Sequence, residues 1–304
     1  MTLNVTLANH RFVIQVSDRR LTVGGCPFDD DANKAAILVC RNAVMSITYT
    51  GLGYFGELPV DDWIVELLDQ NNAARRDVGF AVSLLRQAAA QTFPELPPQD
   101  RKVGHTFLLA GWQLHKKRQV PYVWLISNCE DKRGRLIEPP AGHFRARYFR
   151  PEKGAEAESL SLALITGMEP AVAPGTAERL GELSRSTMEP DALRDEAVSV
   201  IRKAADHPDY GRYIGRNCLS VVLPQPGTSQ ITAEYLPAGL GPVAYTPQVI
   251  TPGIVLRSSE VLGGGNWILH WGGRELEIRG AAKESTGSNT LFGLRSQRRR
   301  PRPN

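Results

Sequence analysis

The chain opens with apolar residues alternating with polar ones. Leu3, Val5 and Leu7 share one face of a strand, and Phe12, Ile14 and Val16 share one face of the next. Asn9-His10 between them predicts a tight turn, because asparagine tolerates positive φ. A loop rich in glycine and aspartate, from Gly24 to Asp31, separates this hairpin from two more strand-like runs. These are Ala35–Cys40 and Ala43–Thr48, which meet at Arg41-Asn42.

The period then changes. Pro59 opens a helical stretch in which Val60, Ile64, Leu67 and Leu68 form a stripe, with Asp61 and Asp62 near the positive end of its dipole. A second helix, over 76–91, places Val78, Val82, Leu85 and Ala89 on one face, and the prolines at 94, 97 and 98 stop it. Strands return at His105–Leu114 and Tyr122–Asn128, flanking the basic stretch Lys116-Lys117-Arg118, which reads as a solvated hairpin loop. Further strands are predicted at Phe144–Phe149 and Ser159–Thr166. Two helices follow, one over Thr176–Leu183. The other starts at Pro190, carries Leu193, Ala197, Val200, Ile201 and Ala204 at helical spacing, and ends at Asp206-His207-Pro208. Cys218–Leu223 and Gln230–Tyr235 read as closing strands.

This order lacks the strict strand–helix alternation of a doubly wound parallel sheet. The expected class is α+β. Two antiparallel sheets packed together with a helical layer outside each, a four-layer αββα sandwich, would use every apolar face. That domain is expected over 1–236. A C-terminal extension over 237–282 is richer in glycine and proline, with strands expected at Val249–Arg257 and Asn266–Arg279. A disordered tail rich in arginine and proline is expected over 283–304.

Composition narrows the function classes. With 304 residues, 42% of them hydrophobic and 22% charged, the chain can bury a sizeable core. No apolar run approaches the length of a membrane helix, and Asn9, Arg11 and Asp18 interrupt any signal-peptide core in the first twenty residues. Cys26, Cys40, Cys129 and Cys218 show no CxxC spacing and read as reduced thiols of a cytoplasmic protein. The net charge of +4 owes five charges to Arg295, Arg298, Arg299, Arg300 and Arg302, and taking five from +4 leaves −1 for the body. That near-neutral body argues against a folded nucleic-acid surface.

Most catalytic signatures are missing. Gly263-Gly264-Gly265 runs into Asn266-Trp267 and forms no P-loop; the six histidines give no HExxH spacing; no G-x-S-x-G occurs. Nothing basic is positioned beside Cys26 or Cys129, and Trp63, Trp112 and Trp124 fall in patterns that read as core. What remains is the amino terminus. Thr2 is small enough for Met1 to be removed before it. Its hydroxyl and a free α-amine, with a pKa of roughly 7.7–8.0, would then share one residue. The amine can take the hydroxyl proton directly or through a water, so no histidine, metal or cofactor is needed.

At these positions the sequence resembles the proteasome β-subunits, within the N-terminal nucleophile hydrolases. Thr2, Asp18, Arg20 and Lys34 match that family's threonine, aspartate, arginine and lysine in spacing: 16 residues from Thr2 to Asp18, 18 to Arg20 and 32 to Lys34. The resemblance implies that Thr2 attacks an amide carbonyl, most simply a peptide bond, to form an acyl ester. Lys34 lowers the cost of ionising the hydroxyl, Asp18 holds the lysine, and Arg20 positions the loop behind the site. It also implies an oxyanion donor at Gly51, although the interval from Lys34 is three residues longer than the family's. A first specificity pocket would be lined by Leu21, Ala32 and Ala36, and the two alanines leave room for a bulky side chain. The protein would assemble as a homo-oligomer. The family's later supporting residues are replaced here by Ile165-Thr166-Gly167-Met168 and by Tyr213-Ile214-Gly215-Arg216-Asn217, with Asp209 and Asn217 as possible substitutes. Two classes therefore stand: a threonine amidohydrolase, or a non-catalytic scaffold subunit of the same fold. The fate of Met1 discriminates them.

Overall fold

The computed structural model describes residues 2–23, 26–115, 118–130, 136–149, 161–186, 188–228, 230–239, 243–244, 247–257, 266–271 and 274–279. Met1, Lys116, Lys117 and the tail over 283–304 lie outside the described residues, and so do the expectations that fall on them.

The chain begins with a hairpin, β1 (Leu3–Asn9) and β2 (Phe12–Asp18), then a short ribbon, β3 (Leu21–Val23) with β4 (Cys26–Asp29). A second long hairpin follows, β5 (Ala35–Cys40) and β6 (Ala43–Thr50). The small ribbon β7 (Tyr54–Phe55) with β8 (Leu58–Pro59) then leads into helices α1 (Val60–Gln70) and α2 (Val78–Thr92). Next come β9 (Thr106–His115), β10 (Arg118–Ser127), β11 (Arg145–Phe149), β12 (Ser161–Gly167), α3 (Thr176–Arg185) and α4 (Pro190–Ala205). The remaining strands are β13 (Cys218–Pro224), β14 (Thr232–Leu236), β15 (Val243–Ala244), β16 (Gln248–Thr251) and β17 (Ile254–Leu256), and then a hairpin of β18 (Asn266–Trp271) and β19 (Arg274–Arg279).

Two large sheets result. One has the order β12-β1-β2-β13-β14-β15, the other β11-β10-β9-β6-β5-β16-β17. The first turn is set by Asn9, whose Oδ1 accepts from the amides of Arg11 and Phe12 at 2.8 and 2.9 Å. Asp77 caps α2 by accepting from the Phe80 amide at 2.9 Å. The second sheet is not wholly antiparallel: β16 runs parallel to β5, with Gln248 opposite Ala36. Among the described residues no helix is long and apolar enough to cross a membrane.

Packing follows strand alternation. The stripes of α1 and α2, including Ile64, Leu68, Val82 and Leu85, share one apolar cluster with Leu38, Met45, Ile47 and Phe107 of the seven-stranded sheet. The buried sides of α3 and α4, with Leu180, Leu193, Ala197 and Ile201, share another with Leu3, Val5, Leu7, Ile14 and Val16. The alternate residues Ala8 and Val13 join Leu219 and Val221 in a third cluster, together with Ile37, Val44, Leu108 and Trp112 of the other sheet. This inter-sheet cluster is apolar near the first turn and becomes a polar seam towards Thr2. There Gln15 Nε2 donates to Thr6 Oγ1, Thr48 Oγ1 and the Leu108 carbonyl, each at 3.4 Å. Asn4 Nδ2 donates to Thr48 Oγ1 and the Tyr49 carbonyl, each at 3.3 Å.

The seven-stranded sheet leaves little slack at Gly111 of β9, which pairs with Met45 of β6. A Cβ there would lie 2.0 Å from the Val44 carbonyl oxygen. Gly111→Ala should therefore cost at least the roughly 1–3 kcal/mol of an overpacked site, read as a lowered midpoint in urea. Gly142→Ala, where a Cβ meets nothing within 4 Å, should stay within about 0.5 kcal/mol of the parent.

Candidate active site

Thr2 precedes β1, Asp18 ends β2 and Lys34 precedes β5. The first two belong to one sheet and the third to the other, and all three meet at the end of the polar seam. Lys34 Nζ donates to Thr2 Oγ1 at 2.7 Å and to Asp18 Oδ1 at 2.9 Å, and also to the Arg20 carbonyl. Asp18 and Lys34 are wholly buried and Thr2 is 1% exposed.

An ammonium has three protons and no acceptor, so three acceptors around Nζ satisfy it completely. Burial pushes the Asp18 carboxyl up and the Lys34 ammonium down, while the attraction between them opposes both shifts. Asp18 has a second task. Its Oδ2 accepts from the Leu3 amide at 3.2 Å, which ties down the strand that follows Thr2. The Thr2 carbonyl accepts from the Met168 amide at 3.1 Å. Gly167 makes that approach possible: its φ is +100, and a Cβ would fall 1.9 Å from the Thr2 carbonyl oxygen.

The remaining expected residues fall in different places. The Arg20 guanidinium pairs with Asp30 through both carboxylate oxygens, at 2.5 and 3.0 Å, so it braces the β3–β4 ribbon while its carbonyl serves Lys34. Gly51 follows β6 with φ +105, and a Cβ there would come within 2.4 Å of the Gly104 carbonyl oxygen. Leu21, Ala32 and Ala36 are 8, 7 and 1% exposed. Gly53 packs against Leu21, and Ala36 belongs to the core under α1. Asn217 is a brace for the loop before β5, donating to Asp31 Oδ1 at 3.1 Å and accepting from the Ala238 amide at 2.9 Å. Asp209 sits exposed in the turn after α4, where its amide donates to His207 Nδ1. Among the described residues neither hydrogen-bonds to Thr2.

One residue that sequence reading missed shapes this end of the fold. His105, wholly buried, accepts from the Leu52 amide through Nδ1 at 3.2 Å and so fixes the turn at Gly51. Its own amide donates to Asn128 Oδ1 at 2.7 Å. The ring lies among Phe107, Phe55 and Tyr49, at centroid distances of 4.6, 5.0 and 6.0 Å. Burial pushes its pKa down to about 3, so the imidazole is neutral. With Nδ1 accepting, the proton is assigned to Nε2, which has no partner among the described residues. A lone histidine in an apolar strand gives no such signal in sequence.

All four cysteines are free thiols, and burial pushes Cys218, which pairs with Asp18 across β2 and β13, up to about 12. Among the described residues no group of three or more His, Cys, Asp or Glu side chains could hold a metal ion.

No protein-family model matches the chain, and no curated protein matches it. Among solved structures it is similar to Anbu (ancestral beta-subunit) from Yersinia bercovieri, with 14% identity, a TM-score of 0.48, and coverage of 73% of this chain and 82% of that one. A likeness at that level assigns neither activity nor site residues.

Two outcomes are expected. Lys34→Met and Asp18→Asn should each cost about 3–5 kcal/mol in urea unfolding, because each strands a buried polar partner. The double variant should lose clearly less than their sum. His105 has its folded pKa depressed from 6.5 to about 3, so its contribution is full above pH 6.5 and is lost as pH falls towards 3. The stability advantage of the parent over His105→Gln should therefore shrink by about 1.4 kcal/mol per pH unit below 6.5.

Proposed function

We propose that this protein is an N-terminal threonine amidohydrolase that cleaves a peptide bond, with Thr2 as nucleophile once Met1 has been removed. The observation that carries the reading is the 2.7 Å contact of the Lys34 ammonium with Thr2 Oγ1, in a wholly buried pair with Asp18. We read the packing of two sheets between two pairs of helices as the four-layer αββα sandwich of the N-terminal nucleophile hydrolases.

In this mechanism the α-amine of Thr2 takes the hydroxyl proton as Oγ bonds to the substrate carbonyl carbon. Lys34 stabilises the charge that develops on Oγ, and the Gly51 amide is the candidate donor to the tetrahedral oxyanion. The intermediate collapses when the C–N bond breaks and the amine returns its proton to the leaving nitrogen. Water then attacks the ester, giving its proton to the same amine, and the acid leaves as Thr2 regains its hydroxyl hydrogen. Asp18 works by position, holding both the lysine and the Leu3 amide.

A non-catalytic scaffold is the second reading. It is favoured by the burial of Thr2, Leu21, Ala32 and Ala36.

Intact mass before and after treatment with a β-lactone separates the two. The hydrolase reading expects loss of Met1 and a single adduct mapping to Thr2, absent in Thr2→Ala. A retained Met1 with no adduct supports the scaffold.

A further inference from the structure

An opening in the described surface has no Lys34 in its lining. A cleft of about 380 Å³ runs between β12, one end of the six-stranded sheet, and β11, one end of the seven-stranded sheet. The residues from Glu169 to Glu178, ahead of and into α3, close it on a third side.

β12 is an unusual sheet edge. Its sequence, Ser-Leu-Ala-Leu-Ile-Thr-Gly, has neither the charge nor the proline that normally guards a free edge. Among the described residues it pairs with β1 alone, so alternate amides and carbonyls face the cleft without a strand partner. Thr166, which lines the cleft, is 4% exposed, and its buried hydroxyl has no hydrogen-bond partner among the described residues. On the opposite wall Arg147 pairs with Glu130 and stacks on Phe149 at 4.9 Å, and its buried Nε has no acceptor among the described residues. Among the described residues the carboxylates of Glu169 and Glu178 are the remaining charges of the lining, and the balance of these described charges is acidic.

We propose that this cleft binds an extended polypeptide segment carrying a basic side chain, seated as an added strand on the free edge of β12. The segment's backbone satisfies the edge. A carbonyl accepts from Arg147 Nε, the Thr166 hydroxyl bonds a backbone group, and the basic side chain reaches Glu169. β12 ends at Gly167, against Thr2. With strands about 4.8 Å apart, a chain on its outer edge lies on the order of 10 Å from β1, a distance that about three extended residues span. Resting on the reading of Thr2 as nucleophile, the seated segment is the part of the substrate about three residues from the bond that is cut.

The test uses the full chain bearing Thr2→Ala, so that binding is read without turnover. The peptide Val-Thr-Arg-Val-Thr-amide, with carboxyfluorescein on its amino terminus, is compared by fluorescence anisotropy with the same peptide carrying citrulline, a neutral isostere of arginine. The arginine peptide should bind about tenfold more tightly. Glu169→Gln should abolish that preference, and Thr166→Val should weaken both peptides alike. Equal dissociation constants for the two peptides, or a preference unchanged in Glu169→Gln, overturn the proposal. So does a stable dimer in sedimentation that excludes both peptides, which would assign the β12 edge to a second copy of the chain. A failed lactone reaction at Thr2 with the peptide preference intact removes the nucleophile but leaves the cleft. A live Thr2 with no peptide preference does the reverse.

Discussion

The ammonium of Lys34 is the constraint around which the amino-terminal half is arranged. Taking a charge wholly out of water is tolerated only when a counter-ion and hydrogen bonds replace its hydration. Here the three acceptors come from the residue before β1, the end of β2 and the chain just beyond it. Lys34 itself enters from the other sheet. Two layers must therefore be in register before the charge can be housed. Asp18 links the two requirements, because one oxygen holds the lysine and the other holds the amide that opens β1.

The same logic explains why the contact between the sheets changes character along its length. Near the first turn it is filled by Ala8, Val13, Val44 and Trp112, and any close-packed apolar set of similar volume would serve. Towards Thr2 it depends on the amides of Asn4 and Gln15 reaching across to Thr48, Tyr49 and Leu108. Directional bonds fix a relative position that apolar packing leaves loose. His105 extends this control to the far side, where a neutral ring held among aromatics fixes the backbone after Gly51.

Much of the architecture was legible because it rests on local period. The stripe of Val78, Val82, Leu85 and Ala89 and the faces of the first hairpin are buried as their spacing implies. The contact of Thr2, Asp18 and Lys34 followed from their spacing and a family resemblance. Other features depend on contacts between distant segments. The parallel pairing of β16 with β5 joins residues over two hundred positions apart, and four-residue strands beside glycine and proline leave little pattern. The β3–β4 ribbon read as loop because its residues are largely exposed and show no alternation. The same burial that encloses Ala36 is invisible in a list of small residues, and the roles of His105 and Asn217 depend on neighbours 53 and 186 positions away.

The parallel strand also sets an order in time. β5, which follows Lys34 directly, has β6 on one side and β16 on the other. Gln248 on that late strand reaches Asp61 and Asp62 at the start of α1, at 2.9 and 3.1 Å. During translation the strand beside Lys34 thus waits for more than two hundred further residues. At 5–20 residues per second that wait is on the order of 10–40 s. A chain stalled or cleaved before residue 248 would keep the flank of β5 bare, so the ribosome itself acts as a timer on when this half of the molecule can close.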